Sequence, residues 1–227
     1  MVRNVGQEPE GSANEAAFQA VFADWLSIGQ GVNPVPDWEL KFTDMVQEMQ
    51  DLRASGHWRT GGRTMLHALG LHHDEVRLCR AIAWLMTPDG WHGLSDRFLR
   101  ALLARIGLEA TDTTSASVVT EEVRGSTRAD IVVRVGSRTV LIEAKVHAGE
   151  QPAQADRLAA GWADESPSLV YLTADGRTPV TAQRSRDQWT GLAWCEVART
   201  LEAIVDDCVD CAPGVRDLLE TIQRYGG

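Results

Sequence analysis

Two acids and a lysine stand out in this chain because the pattern around them predicts that they share one face of a β-hairpin. Asp130 and Glu143 belong to two Val- and Ile-rich segments, and the Gly136-Ser137 pair between them is typical of a two-residue type II′ turn. With that turn, Asp130 lies opposite Glu143, with Cβ atoms about 5 Å apart. Lys145 shares their face because side chains alternate along a strand.

Opposed carboxylates repel each other, so this hairpin is expected to need a neighbouring positive charge. Mg²⁺ would supply one, since it binds carboxylate oxygens and water and usually takes one or two protein carboxylates. The ammonium of Lys145 would supply another, and it could orient or help to deprotonate a water bound to the metal. Together these groups suit phosphodiester hydrolysis, and the alternative is a salt-bridge ladder on a solvated sheet face.

Lysine is rare in this chain, which makes its presence at position 145 more informative. Of the 22 basic residues only Lys41 and Lys145 are lysines, and the remainder are arginines. Arginine is effectively never deprotonated and its planar fork binds differently. An ammonium retained beside Glu143 is therefore consistent with a role in the chemistry.

Asp130 followed by Glu143-Ala144-Lys145 resembles the signature of the PD-(D/E)XK nuclease superfamily, in a microbial branch. The similarity covers about residues 71–205 and implies an α/β, restriction-endonuclease-like core in which helices flank a central mixed β-sheet. It is clearest in two stretches, residues 81–99 and residues 143–154.

The same resemblance implies which residues form the site. Asp130, Glu143 and the backbone carbonyl of Ala144 would hold Mg²⁺, for which Mn²⁺ can substitute, and Lys145 would assist the attacking water. Gln154 matches the position of a glutamine that supports the site in many relatives.

An acid on the helix before the first core strand is also implied by the resemblance, and Glu75 and Asp96 are both candidates. His72 and His73 precede Glu75 at a predicted helix start, which favours a helix terminus over a metal cluster. His92 lies in a predicted loop, where approach to the site and capping of the turn remain equal alternatives.

The charge distribution bears on whether the chain binds nucleic acid. Its formal net charge is −10, from 22 basic and 32 acidic residues, which excludes an overall basic nucleic-acid-binding signature. Residues 97–145 nevertheless carry more basic than acidic side chains. The arginines around the hairpin are candidate phosphate contacts, with a solvated surface as the alternative. These arginines are Arg124, Arg128, Arg134 and Arg138.

The elements that must position these residues follow from the hydrophobic periodicity. The order α-β-β-β-α-β, with added helices at both ends, predicts a mixed α/β sheet. Ser95 is expected to cap one of the helices. The predicted helices are 13–28, 37–52, 76–86, 95–106, 153–163, 196–208 and 215–225, and the predicted strands are 117–123, 130–135, 138–146 and 168–173.

The chain is expected to have two parts: residues 1–70 as a helical N-terminal extension and residues 71–227 as the nuclease-like domain. No stretch resembles a signal peptide or a membrane span, so a cytoplasmic protein without a membrane partner is expected. Cys208 and Cys211 have zinc-finger spacing, but plain helix-end cysteines are the default interpretation because further ligands are not evident.

These observations predict a Mg²⁺-dependent phosphodiester hydrolase, an endonuclease or exonuclease that acts on DNA rather than RNA. Restriction, repair or phage defence would be its setting, as implied by the resemblance. The alternative is a non-catalytic domain on the same fold that binds nucleic acid or a protein. A third interpretation is an assembly subunit in which residues 13–55 form a homodimer or bind a protein partner.

Overall fold

The computed structural model describes residues 38–57, 61–109 and 112–226, together with residues 19, 20 and 23. The chain divides into two compact units, Met1–Arg59 and Thr60–Gly227. In the first unit, helix α1 (Trp38–Ala54) is described, close to the predicted helix at 37–52. The predicted helix at 13–28 lies outside the described residues, except that residues 19, 20 and 23 are helical.

The second unit is built on a five-stranded mixed sheet in the order β1-β2-β3-β4-β5. The first three strands are antiparallel neighbours, whereas β3, β4 and β5 run parallel. This α/β architecture confirms the predicted fold class. The strands are β1 (Ser117–Arg124), β2 (Thr127–Val135), β3 (Arg138–Ala144), β4 (Ser168–Thr173) and β5 (Trp189–Ala193).

Helices cover both faces of this sheet, which explains why β3 and β4 are almost continuously apolar. On one face, Val140, Ile142 and Ala144 enter the larger core. On the other, Leu141 packs with the fully buried Trp162 in a smaller core. The helices of this unit are α2 (Met65–Ala68), α3 (Glu75–Met86), α4 (Arg97–Arg105), α5 (Gln154–Gly161), α6 (Trp194–Val205) and α7 (Pro213–Ile222).

Two details of the predicted elements are wrong. Ser95 is not the cap of α4, because its φ of 51° is left-handed and Asp96 occupies the N-cap position. The cysteines Cys208 and Cys211 are not free helix-end thiols, since a disulfide bond joins them between α6 and α7.

Strand β5 and the four-residue helix α2 were not predicted. Strand β5 is only five residues long and contains Gly191, so its sequence alone lacks a strand pattern. Its pairing with β4 supplies the missing support. Among the described helices, none is both long and apolar enough to cross a membrane.

Candidate active site

The site is positioned by the β2–β3 hairpin, whose predicted register is confirmed. Val135 pairs with Arg138 next to the turn, and the ladder continues to Ile131 and Ile142. Gly136 adopts a φ of 56°, as the first position of a type II′ turn requires. Asp130 and Glu143 are the next residues along the two strands.

The carboxylate of Asp130 spans the end of this ladder. Its Oδ2 atom accepts a hydrogen bond from the amide of Ala144 at 2.9 Å. This contact ties the acid of β2 to the backbone next to Glu143. The side chain of Asp130 is therefore held in place by β3 itself.

One cavity of about 400 Å³ brings together the five side chains expected at the site. Asp130, Glu143 and Lys145 are each less than a tenth exposed. Gln154, at the start of α5, and Glu75, at the start of α3, complete the group. Side chains from the β2–β3 hairpin and from two helices thus meet at one concave surface.

Lys145 uses its three donors on three oxygen atoms. Its Nζ atom lies 2.7 Å from Oε1 of Glu143, 3.0 Å from the Ala144 carbonyl oxygen and 3.3 Å from Oε1 of Glu75. The second oxygen of Glu75 accepts a hydrogen bond from the amide of Val146 at 3.1 Å. Glu75 therefore fixes both the lysine head group and the chain that carries it.

The position of Glu75 itself follows from the local sequence. Asp74 caps α3 by accepting a hydrogen bond from the amide of Arg77 at 3.0 Å. Capping of this kind satisfies a backbone donor that has no partner inside the helix. The expectation of a helix start at this point in the sequence is thereby confirmed.

Burial and like charge act together on the acids of the cavity. Burial, followed by the charge of Asp130, raises the pKa of Glu143 to about 8. Burial also raises the pKa of Asp130. For Lys145, burial lowers the pKa, but the neighbouring charges of Glu143, Glu75 and Asp130 outweigh it and leave the pKa above its usual value.

The donor set fits a divalent cation. The Oε2 atom of Glu143 is buried, and no described residue gives it a hydrogen bond, whereas Oε1 accepts from Lys145 and Gln154. A buried carboxylate oxygen without a partner is costly, and a hard cation would satisfy it.

In the part of the chain that the structure describes, no group of three or more His, Cys, Asp or Glu side chains is arranged to hold a metal. A cation here would rest on Asp130, Glu143, the Ala144 carbonyl and water. This combination is typical of Mg²⁺, which retains several waters.

The predicted phosphate contacts are only partly brought to the cavity. Arg128 lines it. Arg124 instead pairs with Glu165 and lies over the ring of Trp162 at 3.9 Å. Arg138 is exposed at the turn of the hairpin and does not line the cavity.

Arg134 likewise serves the structure, because it forms two hydrogen bonds with Glu122, at 2.7 and 2.8 Å, and reaches Glu165. Carboxylates therefore already neutralise both Arg124 and Arg134. The sequence did not reveal this pairing, since Glu165 lies far from these arginines along the chain.

Asp96 was a candidate acid of the site, and His92 was expected either to approach the site or to cap its turn. Neither residue lines the cavity. Asp96 accepts hydrogen bonds from Thr113 and Arg100 at the start of α4, outside the cavity. His92 is fully buried and caps its turn, with Nε2 at 2.8 Å from the Thr87 carbonyl oxygen and Nδ1 accepting from the amide of Leu94.

Several cavity-lining residues were missed by sequence reasoning, and two of them have long polar or charged side chains. Arg157 and Gln151 both line the cavity. Arg157 follows Gln154 by three residues on α5, and i,i+3 neighbours share a helix face. That spacing was the signal that could have identified Arg157, whereas Gln151 lies in a loop and carried none.

Comparison with known families gives a match over most of the second unit. The model of a family described as PD-(D/E)XK nuclease superfamily matches residues 65–219, a span that includes the whole sheet and all five expected site residues. Comparisons with curated proteins and with solved structures returned no match.

Proposed function

The chain belongs to the PD-(D/E)XK nuclease superfamily, and from that membership and the geometry of the cavity we propose that it hydrolyses phosphodiester bonds with a divalent cation. The observation that carries this proposal is the Oε2 atom of Glu143, which is buried and has no hydrogen-bond partner among the described residues. It lies in the same cavity as Asp130 and Lys145. Such an oxygen has little purpose in a salt-bridge ladder but is an apt ligand for a cation.

Asp130, Glu143 and the Ala144 carbonyl are the proposed metal ligands. When bound, the cation neutralises charge on the phosphate and makes a water more acidic. The chain contributes two acids whose pKa values are raised by burial and by neighbouring carboxylates. Loss of a proton from this pair and binding of the cation are therefore linked.

Lys145 is proposed to act as a fixed hydrogen-bond donor. Its raised pKa keeps the ammonium protonated at neutral pH. A protonated lysine can orient the attacking water or hold a phosphate oxygen, but it cannot remove a proton. Of the two roles expected from sequence, orientation of the water is thus the one that this environment favours.

Gln154 and Glu75 are proposed as positioning residues. The Nε2 atom of Gln154 donates to Oε1 of Glu143, and its own Oε1 accepts from the amide of Gln151 at 3.0 Å. Glu75 holds Lys145 and the amide of Val146. Gln154 therefore acts through Glu143, and Glu75 acts through Lys145.

We propose Mg²⁺ as the cation, with Mn²⁺ as a substitute, and DNA as a better substrate than RNA. The family resemblance supports this choice of cation and substrate. It also supports a cytoplasmic setting in restriction, repair or phage defence. Residues 71–227 are proposed as the nuclease-like domain. Residues 1–70 are proposed as an extension that makes a homodimer or binds a protein partner.

Cleavage by the purified chain tests this function. We expect DNA to be cut in Mg²⁺ and not in EDTA, and we expect Lys145→Ala and Asp130→Asn each to remove the cleavage. Circular dichroism spectra of both variants should match that of the wild type. Cleavage retained by both variants would refute the proposed roles of Lys145 and Asp130. Equal DNA binding in Mg²⁺ and EDTA, without cleavage, would favour a non-catalytic domain.

A further inference from the structure

Two arginines line the cavity, and they differ in how their charges are balanced. Arg128, on β2, lies 3.3 Å from Oε1 of Glu121. The guanidinium of Arg157, on α5, contacts the Pro152 carbonyl oxygen and lies 3.4 Å from Oε1 of Gln151. Both contacts of Arg157 are neutral oxygen atoms.

This difference sets Arg157 apart from nearby cations. Arg177, in the loop after β4, lies 2.7 Å from Glu150, and Lys145 is held by Glu143 and Glu75. Among the cavity-lining cations of the described residues, Arg157 is the one without a carboxylate partner. Its positive charge is therefore available to an anion that enters the cavity.

Helix α5 places this charge close to the acids of the site. Gln154 donates a hydrogen bond to Glu143, and Arg157 lies on the same face of α5. Residues three apart on a helix have Cβ atoms about 5–6 Å apart. Arg157 thus stands about one helical turn from the side chain that contacts the metal-binding carboxylate.

The helix that carries Arg157 is also firmly held. Asp156 accepts hydrogen bonds from the amides of Arg184 and Ser185, each at 3.0 Å, and from the Ser185 hydroxyl at 2.8 Å. These contacts anchor α5 to the loop between β4 and β5. A guanidinium on an anchored helix loses less freedom when it binds a ligand than one on a mobile loop.

We propose that Arg157 binds a backbone phosphate of the nucleic acid next to the one that reacts, an inference that rests on the proposed nuclease function. A guanidinium offers paired donors that match phosphate oxygens. Binding would exchange two contacts to neutral oxygens for charge-assisted ones. Because its contacts reach neither Glu143 nor Asp130, Arg157 acts in substrate binding and not in the chemical step.

Binding of a fluorescently labelled single-stranded DNA oligonucleotide tests this inference. The wild type, Arg157→Ala and Arg157→Lys are compared in Ca²⁺ over a range of salt concentrations. Arg80→Ala is the matched control, since Arg80 is exposed on α3 and does not line the cavity. Cleavage kinetics in Mg²⁺ are measured on the same proteins.

We expect Arg157→Ala to raise Kd roughly tenfold and to reduce the slope of log K against log salt by about one. Arg157→Lys should keep most of the slope with intermediate affinity, and Arg80→Ala should match the wild type. In cleavage, Arg157→Ala should raise KM far more than it lowers kcat.

An unchanged Kd and salt slope in Arg157→Ala would overturn the inference, and so would a wild type that does not bind DNA. Failure of the proposed function has a different signature. A wild type that binds DNA but does not cut it in Mg²⁺ would refute the nuclease assignment. The salt slopes of the variants would then still decide whether Arg157 contacts phosphate.

Discussion

At the scale of single residues, the cavity brings several carboxylates together around one buried lysine. Three acids, Glu75, Asp130 and Glu143, face one lysine within hydrogen-bonding reach of two of them. The Oε2 atom of Glu143 has no partner among the described residues. Burying carboxylates together is costly in isolation and becomes favourable when a cation supplies positive charge beside them.

Glu143 should make the stability of the metal-free protein depend on pH. Its pKa is about 8 in the fold, against an ordinary 4.5, so the folded state holds the proton more tightly. The resulting stability is fully present below about pH 4.5 and is lost as the pH rises through 8. We expect the free energy of unfolding in EDTA to fall by roughly 1–3 kcal/mol from about pH 5 to pH 8.

Urea unfolding at several pH values measures this effect, with Glu143→Gln as the matched variant. The amide does not titrate, so the variant should lose most of the fall. Added Mg²⁺ should stabilise the wild type more at pH 8 than at pH 5, because it binds the deprotonated acids. Identical pH profiles for the two proteins would contradict the raised pKa of Glu143.

At the scale of elements, the backbone of β5 lies very close to the loop that follows β4. Gly191 in β5 lies against the loop after β4, and a Cβ at this position would overlap the carbonyl oxygen of Gly176. That oxygen belongs to the backbone and cannot swing aside as a flexible side chain could. The close approach explains why a glycine interrupts this strand.

Gly191→Ala should therefore destabilise the fold by roughly 2–3 kcal/mol, as overpacking typically does. Thermal unfolding should show a loss in Tm of about 5–10 °C. Gly149→Ala is the control, because a Cβ there has no heavy atom within 4 Å. If both variants unfold at the same temperature, the close contact at Gly191 does not exist.

Local sequence was sufficient to locate the first four strands of the sheet and insufficient to locate the fifth. The turn at Gly136-Ser137 determines the β2–β3 register, and the apolar runs locate β1 to β4. Strand β5 depends on contacts with β4 that no local pattern encodes. The roles of Arg124 and Arg134 depend on Glu165, which approaches them only in the folded chain.

At the scale of the whole molecule, the net charge of −10 is compatible with a polyanionic substrate. The acids are spread over the chain, and several of them pair with arginines away from the cavity. Inside the cavity, a bound cation would offset Asp130 and Glu143, which leaves Arg128, Arg157 and Lys145 facing the substrate. Local charge, more than the total, should therefore govern binding.

If Asp130 and Glu143 together bind a divalent cation, a crystal soaked with Mn²⁺ should hold manganese between them. Anomalous density identifies manganese independently of water. We expect a peak that contacts both carboxylates in the wild type and no such peak in Asp130→Asn. A wild-type crystal without density between the two carboxylates, or with the same peak in the variant, would contradict it.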